Sequence, residues 1–459
     1  MKQGYLRDTD NDDIGIVEKL LIFICALLAP FHINLVGNLY ISDIILAFCL
    51  IPAHAKNAHH TQSSAAYKVC IIFMIVAIVQ LFTDYFTQTP IDYILRGLAR
   101  NLFIIIDLLS LFFITKGKTK YILYYIIFKL QVDFVRFVIE DEYSIDVLLS
   151  SEFSYAWKFS LGKSLYMTIL LTRMLFPANR YIIASYLFGI AVMATSLILN
   201  SRSLFGFIFF SEVFSVLLTN HKILDRISQN KIGMLTAISF LSLIPYYSYT
   251  ISVTSGLLGE EALEKYQFQS EIGGGNILLG GRGELIATIN ACLDSPIIGH
   301  GSYPLDRTGK YNFMIFNSIQ DIDELKRAIE MSTSEVIPAH SIFLSLWLNV
   351  GVVGLGAGLY MLGLIIKSFI NDNALLFYKK YPHYITGCIY IFISSIWDIL
   401  FSPAAAYHIA HLSIGLALAC SFSVVKTQHP QDRPQNHQGP RLTSFVQQAS
   451  QGKRGHALS

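Results

Sequence analysis

Charge is what this chain has least of. Asp, Glu, Lys and Arg make up 14% of its 459 residues, against a usual ~25%. With 53% apolar residues and a mean hydropathy of +0.49, that scarcity excludes a disordered chain and an ordinary soluble enzyme. A polytopic membrane protein remains. Basic excess is missing too: 34 Lys and Arg face 32 Asp and Glu, a net charge of +2, so nothing supports nucleic acid as a partner. The cysteines Cys25, Cys49, Cys70, Cys292, Cys388 and Cys420 form no CxxC or Cys/His spacing, which removes a disulfide framework and a zinc site. No positive n-region opens the chain. Asp8, Asp10, Asp12 and Asp13 stand where a signal peptide carries basic residues, so the first apolar stretch is expected to stay as an uncleaved span. No internal repeat is visible, and with it goes the commonest transporter signature.

What is present is a series of apolar runs. A transmembrane helix needs about 20 mostly apolar residues. Twelve stretches are read as spans: 20–37, 39–54, 67–87, 94–115, 121–139, 158–176, 181–199, 203–219, 232–251, 341–366, 382–402 and 404–425. With the N-terminus in the cytoplasm, the inside loops collect most of the Lys and Arg, as the positive-inside rule requires. The short outside segments hold only Arg96, Arg100, Lys158 and Arg202, and the acidic stretch 140–152 also falls outside. The expected organisation is a cytoplasmic N-terminus (1–19), nine spans (20–251), a long outside loop (252–340), three spans (341–425) and a disordered cytoplasmic tail (426–459). The expected fold is all-α. Within the loop, Ile319, Ile322, Leu325 and Ile329 share one face of an amphipathic helix over 319–331. A loop of that length in a compact fold is usually functional.

The candidate residues gather on the outside face. Arg96 and Arg100 lie four apart on one helix face; an arginine in a span is costly and marks function by default, with snorkelling to the interface as the alternative. Arg202, in Asn200-Ser201-Arg202-Ser203, sits in a tight turn at the level of a lipid-linked phosphate, or serves as an interfacial anchor. Gly280-Gly281-Arg282-Gly283-Glu284 opens a helix whose N–H groups and Arg282 fork suit a phosphate. No Gly-Lys-Ser/Thr follows, so it is no P-loop. His340, where the loop enters the tenth span, can take a proton from a sugar hydroxyl or cap the helix. Trp347, Gly351, Gly354 and Gly358 read as interface anchor and close-packing positions. Asp398, His408 and His411 form a polar cluster, functional or structural. No Asp-x-Asp motif flanks the arginines, and Asp321-Ile322-Asp323 belongs to the amphipathic helix, so neither metal nor cofactor is expected.

Four segments carry a resemblance: Ser201-Arg202-Ser203; Gly281-Arg282-Gly283-Glu284; Asp294-Ser295-Pro296-Ile297-Ile298-Gly299-His300-Gly301; and His340-Ser341 with Leu348-Asn349-Val350-Gly351-Val352-Val353-Gly354. In these, and in architecture over about 16–425, the chain resembles the O-antigen ligase/polymerase superfamily of bacterial inner-membrane glycosyltransferases. The resemblance implies a membrane glycosyltransferase C type fold with the site facing the periplasm. It implies an undecaprenyl-diphosphate-linked oligosaccharide donor and metal-independent, inverting transfer. The acceptor hydroxyl would belong to a lipid-linked glycan (polymerase) or to lipid A–core (ligase), with polysaccharide assembly proteins as partners. Arg202 and Arg282 would hold the diphosphate, His340 would be the general base, and Arg96, Arg100, Glu284 and Asp398 would bind substrate. Ser341 stands where the family often has Asn, and Asn349 replaces an acidic residue before the glycine. The acceptor therefore stays open, with loop wording slightly nearer the polymerases. A transporter of lipid-linked glycans and a non-catalytic scaffold are the readings of other classes.

Overall fold

The structure, a computed structural model, describes residues 13–34, 38–57, 64–139, 153–177, 179–230, 233, 236, 240–241, 243–272, 283–316 and 336–423. It is a helical membrane protein. Among the described residues, six helices are long and apolar enough to cross a membrane: Ala65–Thr87, Ile91–Ile114, Tyr181–Ile198, Arg202–Thr219, Ile342–Phe369 and Pro382–Phe401. The amphipathic segment 319–331, the acidic stretch 140–152 and the tail 426–459 lie outside the described residues.

In chain order the elements are α1 (Ile16–Leu27), β1 (His32–Asn34), β2 (Asn38–Tyr40), α2 (Ile41–Asn57), α3 (Ser64–Thr87), α4 (Ile91–Ile114), α5 (Thr119–Ile139), α6 (Gly162–Leu175), α7 (Asn179–Ile198) and α8 (Arg202–Thr219). They continue with α9 (His221–Gln229), α10 (Leu243–Thr254), α11 (Glu260–Ile272), α12 (Gly283–Asp294), α13 (Lys310–Phe316), α14 (Ile342–Phe369), α15 (Asp372–Lys380), α16 (Ile385–Phe401) and α17 (Ala406–Ser421). The expectation of one helix over 20–37 is corrected here. The helix stops at Leu27, ahead of Pro30, and the chain turns back through an antiparallel hairpin pairing His32 with Tyr40 and Asn34 with Asn38. Proline lacks the N–H a continuing helix needs and biases its predecessor away from helical backbone.

α16 is the centre of the bundle, with 72% of its span buried, whereas α7 buries only 22% and turns its apolar surface outward. α16 packs against α8 and α14, α14 against α3 and α17, and α4 against α2, α3 and α17. α8 and α16 run antiparallel: Thr386 bonds Ser215 near one end, and Phe207 meets Trp397 near the other. The start of α8, carrying Arg202, therefore lies at the same end as Asp398. Ser341, just before α14, donates to the Ile399 carbonyl at 3.2 Å. That places the start of α14 at this end too.

Inside the bundle lie charges that hydropathy averaging hides. Asp43, Asp107 and Lys129 are buried on α2, α4 and α5. Arg173 of α6 and Glu212 of α8 form a bidentate buried pair at 2.9 Å in both contacts, completed by Ser185, Thr386 and the Tyr166 hydroxyl. Removing one partner of a buried pair strands the other, at a cost of about 3–5 kcal/mol. Arg173→Met is expected to lower unfolding stability in detergent by that amount. The double replacement Arg173→Met/Glu212→Met should lose clearly less, which a denaturant titration of both variants checks.

Candidate functional site

The site is built around a break in α14. Val350 and Gly351 leave helical geometry, Gly351 with φ 61° and ψ −142°, a region open only to glycine. The break frees carbonyls that a continuous helix would have used. The loop 297–301 takes them: His300 N–H donates to the Leu348 carbonyl at 2.7 Å and Gly301 N–H to that of Asn349 at 3.0 Å, while Val352 N–H donates to Ile297 at 3.3 Å. Gly299 and Gly301, both near φ 85°, give the loop its two sharp bends. Trp347 N–H adds a bond to the Pro296 carbonyl at 3.2 Å. The segments Asp294–Gly301 and Leu348–Gly354 are thus one docked unit.

The same loop is clamped from the other side. Asp84 of α3 accepts from the Ser302 backbone N–H at 2.5 Å and from its hydroxyl at 2.7 Å. Gln80 donates to the Ser302 hydroxyl and accepts from Asn101 of α4 at 2.5 Å. Thr83 donates to the Ile298 carbonyl at 3.0 Å. The loop therefore joins the α3–α4 wall to α14.

Of the residues singled out by sequence, His340 and Glu284 are brought together. His340 Nδ1 lies 3.8 Å from Glu284 Oε1, with both side chains partly open to solvent. The start of α12 is fixed beside them by Thr288, which donates to the Pro338 carbonyl at 2.7 Å. Asp398 is buried, and both its oxygens are engaged: Oδ1 with His408 Nδ1 at 3.1 Å and the Ser402 hydroxyl at 2.7 Å, Oδ2 with His411 Nδ1. Its carboxylate holds the two imidazoles rather than a free space. Arg202 opens α8 with its guanidinium over the ring of buried Tyr249, 4.8 Å from the centroid. Arg96 is exposed, 5.9 Å from the Tyr93 ring. Arg100 is half-buried and lines a cavity with Asn101 and Ser345. Arg202 makes no hydrogen bond or ion pair to His340 or Asp398 among the described residues. Arg282 lies outside them.

α12 and α13 are pinned by a second carboxylate. Asp294 accepts from Lys310 Nζ and the Tyr311 hydroxyl, each at 2.5 Å. The Lys310 bond, then the Tyr311 bond, holds its carboxyl below the ordinary carboxylate range. Burial, then the Asp294 bond, pushes the Tyr311 phenol up. A carboxyl depressed in the folded state adds stability that is present above the unfolded value of ~3.9 and lost as pH falls through the folded one. Protection of the amides near Tyr311, corrected for the pH dependence of intrinsic exchange, is expected to fall on acidification below about pH 4, and Asp294→Asn should flatten that response. Sequence reading passed over Asp84, Gln80 and Ser302, whose polar character inside or beside an apolar run was the available signal.

No protein-family model matches the chain, and no curated protein matches its sequence.

Proposed function

We propose that the chain is a metal-independent, inverting glycosyltransferase of the O-antigen ligase/polymerase type. In this reading it is a multi-pass protein of a bacterial inner membrane with a membrane glycosyltransferase C type fold. Residues 252–340 form a periplasmic loop over the site. It transfers glycan from an undecaprenyl-diphosphate-linked donor to a sugar hydroxyl of a second lipid-linked repeat unit. The observation that carries this reading is the His340–Glu284 pair: a base at the head of a helix, open to solvent, with a carboxylate 3.8 Å from its Nδ1.

In the proposed step the acceptor hydroxyl oxygen attacks the donor's anomeric carbon and its proton passes to His340. Glu284 lies where the imidazolium charge develops. The bond to the diphosphate breaks with its electron pair on the leaving oxygen, whose charge Arg202 and Arg282 stabilise. Asp398 acts through His408 and His411, keeping each with its Nδ1 toward the carboxylate. Docking of Asp294–Gly301 into α14 gives a physical reason for these two motif segments to occur together.

The test uses purified protein, undecaprenyl-diphosphate-linked repeat units as the only glycan, and a chelator. A ladder of longer lipid-linked glycans is expected. Transfer only after lipid A–core is added would move the chain to the ligase branch. The transporter reading draws on Asp43, Asp107 and Lys129, buried within the bundle. Movement of labelled lipid-linked glycan across proteoliposomes without transfer would favour it.

A further inference from the structure

The loop that docks into α14 places glycine at its sharp bends, with one exception. Gly299 and Gly301 take left-handed backbone, and so does Tyr303, with φ 47°. A bulky side chain is strained there, and the following Pro304 restricts the residue further. Glycine would hold the same backbone at no steric cost. The neighbours enforce the strain. Ser302 is held by Asp84 and Gln80, and the Pro304 carbonyl accepts from the Ile337 N–H at 2.8 Å. Strain retained in this way points to a use for the side chain.

The Tyr303 ring stands against that of Tyr93 in the first turn of α4, with centroids 5.7 Å apart and planes tilted by 38°. Both residues are half-buried, and neither hydroxyl has a hydrogen-bond partner among the described residues. Tyr166 and Tyr311 are the useful contrast: buried phenols whose hydroxyls are tied to Glu212 and Asp294. A pair of phenols with open hydroxyls suits a sugar ring. The C–H bonds of a pyranose lie against the electron-rich face of an aromatic ring, and its hydroxyls pair with the phenols. The pair also stands near His340. Leu305 bridges Val336 in antiparallel fashion and Pro304 bonds Ile337, so Tyr303 comes next in register, opposite Pro338. Three residues separate Ile337 from His340, at most about 11 Å of extended chain. A disaccharide covers that distance. We propose that Tyr303, with Tyr93, is a sugar-stacking subsite for the acceptor glycan and sets which sugar presents its hydroxyl to His340. This rests on the glycosyl-transfer reading above. The two phenols determine specificity: they hold a sugar ring and exchange no proton or bond.

The test compares binding of undecaprenyl-diphosphate-linked repeat units with that of bare undecaprenyl diphosphate to the detergent-purified chain. The wild type is expected to hold the glycosylated lipid roughly tenfold more tightly. Tyr303→Gly should lose that preference and bind the bare lipid as before. Its melting temperature should hold or rise, because glycine relieves the strained backbone. Tyr303→Phe, which keeps the ring, should retain most of the preference. In the transfer assay, Tyr303→Gly should raise the half-saturating concentration of lipid-linked acceptor roughly tenfold and leave the saturated rate unchanged. Equal binding of the two lipids by the wild type would overturn the proposal. So would an undiminished preference in Tyr303→Gly, or a lower melting temperature with both lipids weakened alike. Transfer without any glycan preference would remove this subsite and leave the glycosyl-transfer reading standing. A glycan preference that needs Tyr303, in a chain that transfers nothing, would do the reverse.

Discussion

On the proposed glycosyl-transfer reading, replacing His340 with alanine is expected to cut glycan transfer by about 10²–10⁴-fold, the usual range for loss of a positioned general base. The expectation rests on that reading and on where the residue sits. His340 is exposed at the head of α14, while Ser341 next to it caps the helix, accepting from the Leu344 N–H at 3.2 Å. Capping is therefore done by Ser341, which leaves the imidazole free for chemistry. Because His340 lies outside the core, the variant should melt like the wild type, so lost transfer would report on the reaction. Glu284→Gln should give a smaller loss in turnover with lipid binding unchanged. The measurement is initial rate of lipid-linked glycan extension, with unfolding followed alongside. Full transfer by His340→Ala would remove the base from the mechanism and leave the site without its central residue.

The second large effect is structural. Gly351→Ala is expected to destabilise the protein by more than about 3 kcal/mol, since strained backbone of this kind costs up to roughly that much by itself. A Cβ at Gly351 would also collide with the Ile297 carbonyl. The loop 297–301 would have to leave the break, and with it the bonds from His300 and Gly301 to Leu348 and Asn349. Hydrogen exchange at those two amides should rise sharply, and transfer should fall because the loop no longer ties α3 and α4 to α14. Gly356 and Gly363 lie in regular turns of the same helix, and a Cβ there meets nothing within 4 Å. Alanine at either should be neutral or stabilising by about 0.5–1 kcal/mol. Equal losses at all three glycines would show that the break is not special.

The long apolar helices were legible because a run of twenty apolar residues has few other fates. Thus α3, α4, α8, α14 and α16 fall near the stretches read from the sequence. The hairpin at 32–40 was not, since Phe31, Ile33 and Leu39 keep the average apolar whatever the backbone does; Pro30 was the local signal. The break in α14 was hidden for a related reason. Hydropathy does not register one residue's φ, and Gly351, read as a packing position, instead makes the break, while Gly354 and Gly358 do sit in close contact with Leu346 and Phe343. The pairing of His340 with Glu284 joins residues distant in the chain, which no local pattern encodes. Arg173, Glu212, Asp43, Asp107 and Lys129 were lost by averaging, each a single charge in an apolar window. Their presence weakens the view that charge gathers only at one end of the bundle.

The break in α14 has a consequence for how the chain is made. A helix interrupted in the middle presents bare carbonyls, which lipid cannot satisfy. Its stopgap, residues 297–301, comes earlier in the sequence and leaves the ribosome seconds ahead of Leu348, at about 5–20 residues per second. Assembly order thus supplies the patch before the gap exists. A circular permutant or split version that delivered 283–316 after α14 would reverse that order, exposing the unfinished helix to lipid and to quality-control proteases while it waits.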